Sequence, residues 1–268
     1  MKRESQVWAL KFIFNISFIC IILAGCEDLK RDNLLDPKNE DSYTSGVVLV
    51  EAFVNLDHPT DYNKWAVQGL NQISANYKDK ILIVQYHRNI KDYPDNYTTP
   101  GMSRSDSVLH QKYVKSSESK ERVLPDIFVN GAFNRVSGAS SVESVVSRVS
   151  AEINSVYREK NYFTIEPLIS KYSDLSYDVS CLVAGLGGRS LNDVKIKFIV
   201  VYDNGEMLGK RVAIELDCDN EIDYVEAGSF KEVNIGSFQF VQPPDAFYLS
   251  LTSKNDLETY QSIKWDVK

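Results

Sequence analysis

The sequence is poor in the residues that carry thiol and metal chemistry. Its four cysteines are widely spaced, and none lies between Cys26 and Cys181. The first half of the chain therefore cannot hold a C-x-x-C redox pair. Only three histidines occur, with no H-x-x-x-H spacing and no His/Cys cluster, which argues against the usual zinc motifs. No metal and no cofactor is expected.

The sequence also lacks a cluster of lysine and arginine. Its formal net charge is −7, and it becomes −9 without residues 1–25, which carry Lys2, Arg3, Glu4 and Lys11. A protein that binds a polyanion needs a basic surface, so this balance excludes nucleic acid as an expected partner.

The N-terminal residues have the pattern of an export signal. Lys2, Arg3 and Lys11 precede an apolar stretch, Phe12 to Leu23. At about a dozen residues it is shorter than the roughly twenty that a membrane-spanning helix needs. Residues 1–25 are therefore predicted to be a signal peptide that is removed from the mature protein.

Leu23-Ala24-Gly25-Cys26 resembles the lipobox of bacterial lipoproteins. The resemblance implies cleavage before Cys26, a diacylglycerol thioether on its sulfur and a further acyl chain, such as palmitate, on its amine. Several acyl chains anchor a protein stably where one does not. The alternative is an ordinary signal peptide with a chance cysteine. Residues 26–45 are polar and charged, and they are predicted to form a flexible tether at the membrane of the cell envelope, on its periplasmic face or at the surface.

Residues 46–157 have the periodicity of an α/β domain. Apolar runs without alternation predict buried strands, and apolar residues at helical spacing predict helices. The predicted elements, in order, are a strand Val47–Val54, a helix from Tyr62, a strand Ile81–Tyr86, an insert Asn89–Arg122 with a helix from Ser103 to Val114, a strand after Pro125, an Asn130-Gly131 hairpin turn, a strand Ala132–Val136 and a last helix capped by Ser140 with Glu143.

Two motifs in this half resemble the thioredoxin superfamily. Glu51-Ala52-Phe53 before the loop, and Leu124 to Gly131 after the insert, are similar to the "VE-F" entry and the "VPT-F-NG" hairpin of that family. The insert further resembles a branch of thioredoxin-like outer-membrane lipoproteins, many of which carry a C-terminal β domain. The match covers a little under half of the chain. It implies a thioredoxin-like fold in which Pro125 is the cis-proline beside the active-site loop.

The resemblance fails at the residues that carry the family's chemistry. His58 and Asp61 stand at the two C-x-x-C positions, with Pro59 and Thr60 between them, and Asp126 replaces the usual threonine after the proline. An imidazole and a carboxylate cannot form a mixed disulfide, so residues 58–61 and Pro125 are predicted to be a vestigial active-site loop without catalytic residues. Two alternatives remain: His58 acts with His87 and His110 in metal binding, or Asp61 or Thr60 simply caps the next helix.

The insert is rich in tyrosine. Tyr86, Tyr93, Tyr97 and Tyr113 offer large contact areas with a polar group, which suits a recognition surface. The alternative is that the rings cover the sheet edge and pack the insert.

In residues 161–268 the apolar residues recur with a period of two. Alternation around Ile196–Tyr202, Val212–Leu216 and Phe247–Leu251, with four further segments, predicts about seven strands and an immunoglobulin-like β-sandwich. Cys181 and Cys218 form an even pair in an exported protein, so they are expected either to form a disulfide or to be two buried thiols.

Taken together, these patterns predict an envelope-anchored lipoprotein with a redox-inactive, thioredoxin-like domain and a β-sandwich, acting in binding or in envelope structure. Its partner is expected to be a protein or a small ligand. The alternative is a thiol–disulfide accessory protein or a metal-dependent enzyme that works at the His58/Asp61 loop.

Overall fold

The computed structural model describes residues 33–203, 210–216, 220–255 and 257–267. The predicted signal peptide, Cys26 and Cys218 lie outside the described residues. Leu34–Lys268 form one compact unit.

The elements alternate between strand and helix in the first half and are all strands in the second. Three α-helices are described: α1 Tyr62–Tyr77, α2 Pro100–Ser116 and α3 Val142–Val156. The strands are β1 Val48–Val54, β2 Ile81–His87, β3 Asp126–Val129, β4 Asn134–Ser137, β5 Phe163–Ser173, β6 Ser176–Gly185, β7 Leu191–Asp203, β8 Lys210–Leu216, β9 Glu221–Val225, β10 Phe230–Gln239, β11 Ala246–Ser253 and β12 Thr259–Asp266.

One large mixed sheet passes through both halves of the chain. Its order is β12-β11-β7-β8-β2-β1-β3-β4, with β9 also paired to β7. β1 and β2 are parallel along their whole length, whereas β8 meets β2 only at the pair Gln85 and Arg211. A second sheet of three strands has the order β10-β6-β5. The protein is thus a mixed α/β fold with few helices.

β1 is buried on both faces, as its continuous apolar run predicts. Val48, Val50 and Val54 pack under α1 and α3, where Leu70 and Ile73 are fully buried. Burial of such side chains contributes roughly 1.5–3 kcal/mol each. The alternate residues of β1 face the other way, toward α2 and toward side chains of β7 and β11. Because side chains alternate between the two faces of a strand, Leu49, Glu51 and Phe53 all point to the α2 side.

Two of the three helix starts differ in detail from the sequence prediction, whereas α1 begins at Tyr62 as predicted. α2 begins three residues earlier than expected, because Thr99 accepts a hydrogen bond from the Met102 amide and Pro100 suits the first helical position. Ser141, and not Ser140, caps α3 by accepting from the Ser144 amide. Asp61 stands at the N-cap position of α1, but its side chain makes no capping hydrogen bond.

The hairpin between β3 and β4 is longer than predicted. The predicted strand Ala132–Val136 starts at Asn134, and Val129 pairs with Asn134 across a four-residue loop. Gly131 has a φ of 111°, and a Cβ there would lie 2.3 Å from the Leu257 carbonyl oxygen. Only glycine allows this close approach of two backbones.

Eight strands are described in the second half, one more than predicted, because β9 forms a short partner for β7. The three-stranded sheet packs on one face of β7, β9, β11 and β12 over a shared apolar core that includes Tyr177, Phe198 and Phe247. Two layers of sheet therefore enclose this core. Five strands of this half, β7, β8, β9, β11 and β12, belong to the large sheet. β8 joins them to β2 of the first half, so the two predicted domains share one sheet.

Residues 33–45 are held against the β-rich half. Thr44 exchanges backbone hydrogen bonds with Asn161 at 2.8 Å, and the Ser42 side chain is 1% exposed. The predicted tether therefore includes a segment that packs on the fold. Its other part, residues 26–32, lies outside the described residues.

Candidate functional site

Glu51 is the centre of a buried polar cluster on the α2 side of β1. Its carboxylate accepts hydrogen bonds from the Lys197 ammonium at 3.0 Å, from the Tyr86 hydroxyl at 2.8 Å and from the Tyr113 hydroxyl. Lys197 also donates to the Tyr113 oxygen. All four side chains are buried. We call these four residues the Glu51 cluster. A buried carboxylate needs this many donors, because burial removes its hydration.

Asp126 is the centre of a second buried cluster, which begins at the residue after Pro125. Arg135 donates to both carboxylate oxygens, from Nε at 2.8 Å and from Nη2 at 2.7 Å, and the Ser137 hydroxyl donates at 3.1 Å. His110, from α2, lies 2.6 Å from the other side of the carboxylate through Nε2. We call Asp126, Arg135, His110 and Arg88 the Asp126 cluster.

Arg88 fixes the tautomer of His110. Its Nη1 donates to His110 Nδ1 at 2.6 Å, so this nitrogen carries no proton and Nε2–H donates to Asp126. Burial lowers the pKa of His110, and the positive charges of Arg88 and Arg122 lower it further against the opposing effect of Asp126. The ring, which stacks on Phe53 at 4.4 Å between centroids, is therefore neutral and acts as a positioning group.

The loop after β1 places His58 next to the segment before Pro125. The Leu124–Pro125 peptide bond is cis, as the family resemblance implies. His58 and Leu124 line the same cavity of about 350 Å³, together with Arg88, Ile90, Arg122 and Val123. Asp61 is not among the lining residues; its exposed carboxylate lies 3.7 Å from Lys64 Nζ. The structure thus brings His58 and the cis-proline segment together and leaves Asp61 on the surface.

Local hydrogen bonds hold the loop in place. The Thr60 amide donates to His58 Nδ1 at 3.3 Å, and the Thr60 hydroxyl lies 2.7 Å from the same nitrogen. Asp95, from the insert, accepts hydrogen bonds from the Leu56 and Tyr97 amides and lies 3.2 Å from His87 Nδ1. Burial alone raises the pKa of Asp95, but the hydrogen bonds from His87 and the two amides hold it below its usual value.

The three histidines therefore have separate partners. His110 pairs with Asp126, His87 pairs with Asp95, and His58 bonds to Thr60. Within the described ranges, no group of three or more His, Cys, Asp or Glu residues is placed to hold a metal ion.

The tyrosines of the insert divide into two groups. Tyr86 and Tyr113 are fully buried in the Glu51 cluster, so they cannot form a recognition surface. Tyr93 and Tyr97 lie nearer the surface and pack against the rings of His58 and His87, with centroids 5.0 Å and 5.3 Å apart. Burial explains the first pair, and of the second pair Tyr93 packs on the loop through His58, whereas Tyr97 packs on His87 at the end of β2.

A larger cleft of about 810 Å³ lies elsewhere, between α1, β2 and β12. Its wall includes Gln85, whose buried Oε1 has no hydrogen-bond partner among the described residues. Most of the other lining residues are small polar or aliphatic. We regard the smaller cavity as the candidate site, because two arginines and a histidine converge on it.

Sequence analysis found the loop but missed the buried residues behind it. Glu51 is the one charged residue in the apolar run Val47–Val54, and a carboxylate there requires buried partners. His110 and Tyr113 are three residues apart, so a helix places both on one face. These two signals identify half of the Glu51 cluster and one residue of the Asp126 cluster. Lys197, Arg88 and Arg135 come from elements whose pairing the sequence does not specify.

Comparisons with known proteins add information about the fold. No family model matches this chain. No curated protein matches it either. The structure of HBP35 of Porphyromonas gingivalis is similar with a TM-score of 0.60 at 9% sequence identity, covering 83% of this chain and 76% of that one. This likeness shows a common fold over most of the chain.

Two other solved structures share smaller parts. A domain of the outer membrane lipoprotein Omp28 from Porphyromonas gingivalis has a TM-score of 0.32 and 8% identity over 40% of this chain and 89% of that one. The archaellum periplasmic stator protein FlaG from Sulfolobus acidocaldarius has a TM-score of 0.23 and 10% identity over 38% of this chain and 99% of that one.

In the part of the chain that the structure describes, no helix has the length and apolarity needed to cross a bilayer.

Proposed function

We propose that this protein is a lipoprotein of the bacterial cell envelope, in which a thioredoxin-like half without redox activity serves as a binding module and an immunoglobulin-like β-sandwich follows it. The observation that carries the proposal is the loop at residues 58–61. His58 of this loop lines the same cavity as Val123 and Leu124, which precede Pro125, and the loop offers an imidazole and a carboxylate where thiols would be needed.

The remaining chemistry of the described residues supports a role without electron transfer. Disulfide exchange requires a thiolate at an accessible position. Cys181 is buried, and burial, with a smaller effect of Glu232, raises the pKa of its thiol to about 12. Because Cys218 lies outside the described residues, the disulfide between Cys181 and Cys218 stays a prediction.

A disulfide-exchange assay tests the redox part of the proposal. The mature protein should not accelerate insulin reduction by dithiothreitol above the rate of dithiothreitol alone. The double variant His58→Cys/Asp61→Cys is the matched positive control, because it restores a C-x-x-C pair on the same loop. Activity of the wild-type protein that disappears in Cys181→Ser would refute the proposal. So would bound zinc or iron, found by elemental analysis and lost in His58→Ala.

A labelling experiment tests the membrane anchor. In a bacterial host, the wild-type chain should incorporate radiolabelled palmitate and sediment with membranes, because acylated Cys26 holds it there. Cys26→Ser removes the thioether and should release the protein into the soluble fraction. Equal labelling of both proteins would contradict lipidation at this residue.

A further inference from the structure

The cavity beside the His58 loop has a cationic wall. Of the six residues that line its volume of about 350 Å³, two are arginines, one is a histidine and none is acidic. Ile90, Val123 and Leu124 provide the apolar remainder. A cavity on which positive charges converge attracts an anion, since the electric field in a concave site is less screened than at a flat surface.

Arg88 is buried there, and among the described residues no carboxylate is hydrogen-bonded to its guanidinium; Asp106 and Asp126 act on its charge only through longer-range attraction. Its side chain is 91% buried, and its two Nη atoms donate to the neutral His110 ring and to the Ser107 hydroxyl at 3.2 Å. Its Nε–H has no hydrogen-bond partner among the described residues. A buried cation is normally paired with a carboxylate. This guanidinium therefore keeps an unused buried donor, and its charge is offset only by the more distant carboxylates of Asp106 and Asp126.

Arg122 adds a second positive charge at the same point. Its Nη2 donates to the Ser107 hydroxyl at 2.8 Å, so both guanidinium groups share one neutral acceptor. Burial, and then repulsion by Arg122, lowers the pKa of Arg88 to about 10. Ser107 therefore holds the two positively charged guanidinium groups close together, although they repel each other. An anion between them removes this repulsion.

His58 supplies one further donor. Because the Thr60 amide donates to Nδ1, the neutral ring carries its proton on Nε2, on the opposite edge. The cavity wall thus combines two guanidinium groups with an imidazole N–H.

We propose that this cavity binds an oxyanion, a carboxylate or phosphate group of a small molecule, through Arg88 and Arg122, with His58 as an additional donor. Guanidinium groups match the planar oxygen geometry of both anions. The volume exceeds that of a lone ion and suits a small organic ligand. Asp126 and His110 act as positioning residues, because they hold Arg88 in its orientation. The inference rests on the proposed binding role of this loop.

Binding of inorganic phosphate and of acetate to the mature wild-type protein provides the test. Chemical shifts of the His58 ring and calorimetry are followed up to tens of millimolar, with sodium chloride at matched ionic strength as the reference. At least one of the two anions should bind saturably, and which one binds distinguishes a phosphorylated ligand from a carboxylic acid. Absence of saturable binding by both anions overturns the proposal.

Three variants locate the binding site. Arg88→Met should weaken binding at least about tenfold, because it removes a charge-assisted hydrogen bond in a shielded site. Arg122→Gln should weaken it several-fold, and it alters only an exposed side chain, so it remains informative if Arg88→Met folds poorly. Arg104→Gln, which changes an exposed arginine of helix α2, is the matched control and should bind like wild type. Equal affinities in all four proteins contradict the assignment.

The outcome is separable from that of the redox assay. If the protein binds the anion and also catalyses disulfide exchange, the proposed function is refuted and this inference stands. If it does neither, only this inference is refuted.

Discussion

The two buried clusters lie on the same side of β1 and differ in one respect. In the Glu51 cluster the ammonium of Lys197 meets a carboxylate, and both phenol hydroxyls have an acceptor. In the Asp126 cluster the carboxylate is equally well satisfied, but the series of hydrogen bonds continues through His110 to Arg88, to which no carboxylate is hydrogen-bonded among the described residues. The first cluster is closed and joins the two halves of the fold. The second ends at a cavity with a free donor.

This difference indicates where the sequence is constrained by stability and where by recognition. Removing one partner of a buried ion pair costs about 3–5 kcal/mol, because the other charge is left buried. A buried guanidinium without a hydrogen-bonded carboxylate lowers stability, and proteins retain such groups mainly at functional sites. The comparison can be tested by removing one charge from each cluster in turn.

The largest expected effect is that of Lys197→Met. The variant removes the ammonium and leaves the Glu51 carboxylate buried with only two phenol donors, so the free energy of unfolding should fall by roughly 3–5 kcal/mol. Urea denaturation measures it, with the exposed Lys231→Met as the control. Glu51→Gln/Lys197→Met should lose less than the single variant, because no charge remains buried. A larger loss in the double variant would show that Glu51 is stabilised by its other partners.

The second largest effect is expected from acidification, which should destabilise the Asp126 cluster. The folded-state pKa of His110 is lowered, so the unfolded chain binds the proton first as pH falls through the usual histidine value near 6.5. The stability that neutral His110 contributes is present above that pH and is lost between it and the lower folded-state pKa. Urea denaturation at a series of pH values should show this decline.

His110→Gln is the matched variant for the acid response. A glutamine amide can accept from Arg88 and donate to Asp126 without titrating, so the decline near neutral pH should become shallower. Asp95, whose pKa is also lowered, contributes its own loss at lower pH in both proteins. Identical profiles for the two proteins would mean that His110 does not control this range.

Arg88→Met should have a much smaller effect on stability than Lys197→Met. Relief of the buried charge offsets the hydrogen bonds lost to His110 and Ser107, so the free energy of unfolding should change by less than about 1.5 kcal/mol in either direction. Urea denaturation of both variants in anion-free buffer gives the comparison. A loss as large as that of Lys197→Met would remove the distinction between the two clusters.

Asp61→Ala should have the smallest effect. The Asp61 side chain is exposed, lies 3.7 Å from Lys64 and makes no capping hydrogen bond, so the change should stay below about 0.5 kcal/mol. Thermal unfolding measures it, and anion binding should be unaltered. A clear loss of binding would show that the cavity extends to this side of the loop.

Local patterns in the sequence predicted the local structure well. The apolar run of β1 predicted a strand buried on both faces, and the helical spacing of Ala66, Leu70 and Ile73 predicted α1. Helix starts were less certain, because adjacent residues such as Ser140 and Ser141 compete for one capping position. The sequence also located the loop with His58 and the segment with Pro125.

Long-range contacts could not be predicted in this way. Glu51 and Lys197 are 146 positions apart, and nothing local in either segment specifies the other. Arg88 directly follows β2 and resembles any strand-end arginine until the helix that carries His110 and Ser107 is placed over it. The division into two domains followed from the change of period near residue 160, whereas the sheet crosses that point.

The shared sheet also affects the order of folding. A chain is synthesised from its N-terminus, so β1 and its acidic residue emerge long before the lysine and the strands that enclose them. Non-local pairing of this kind slows folding. The large sheet can therefore be completed only after most of the polypeptide has been synthesised.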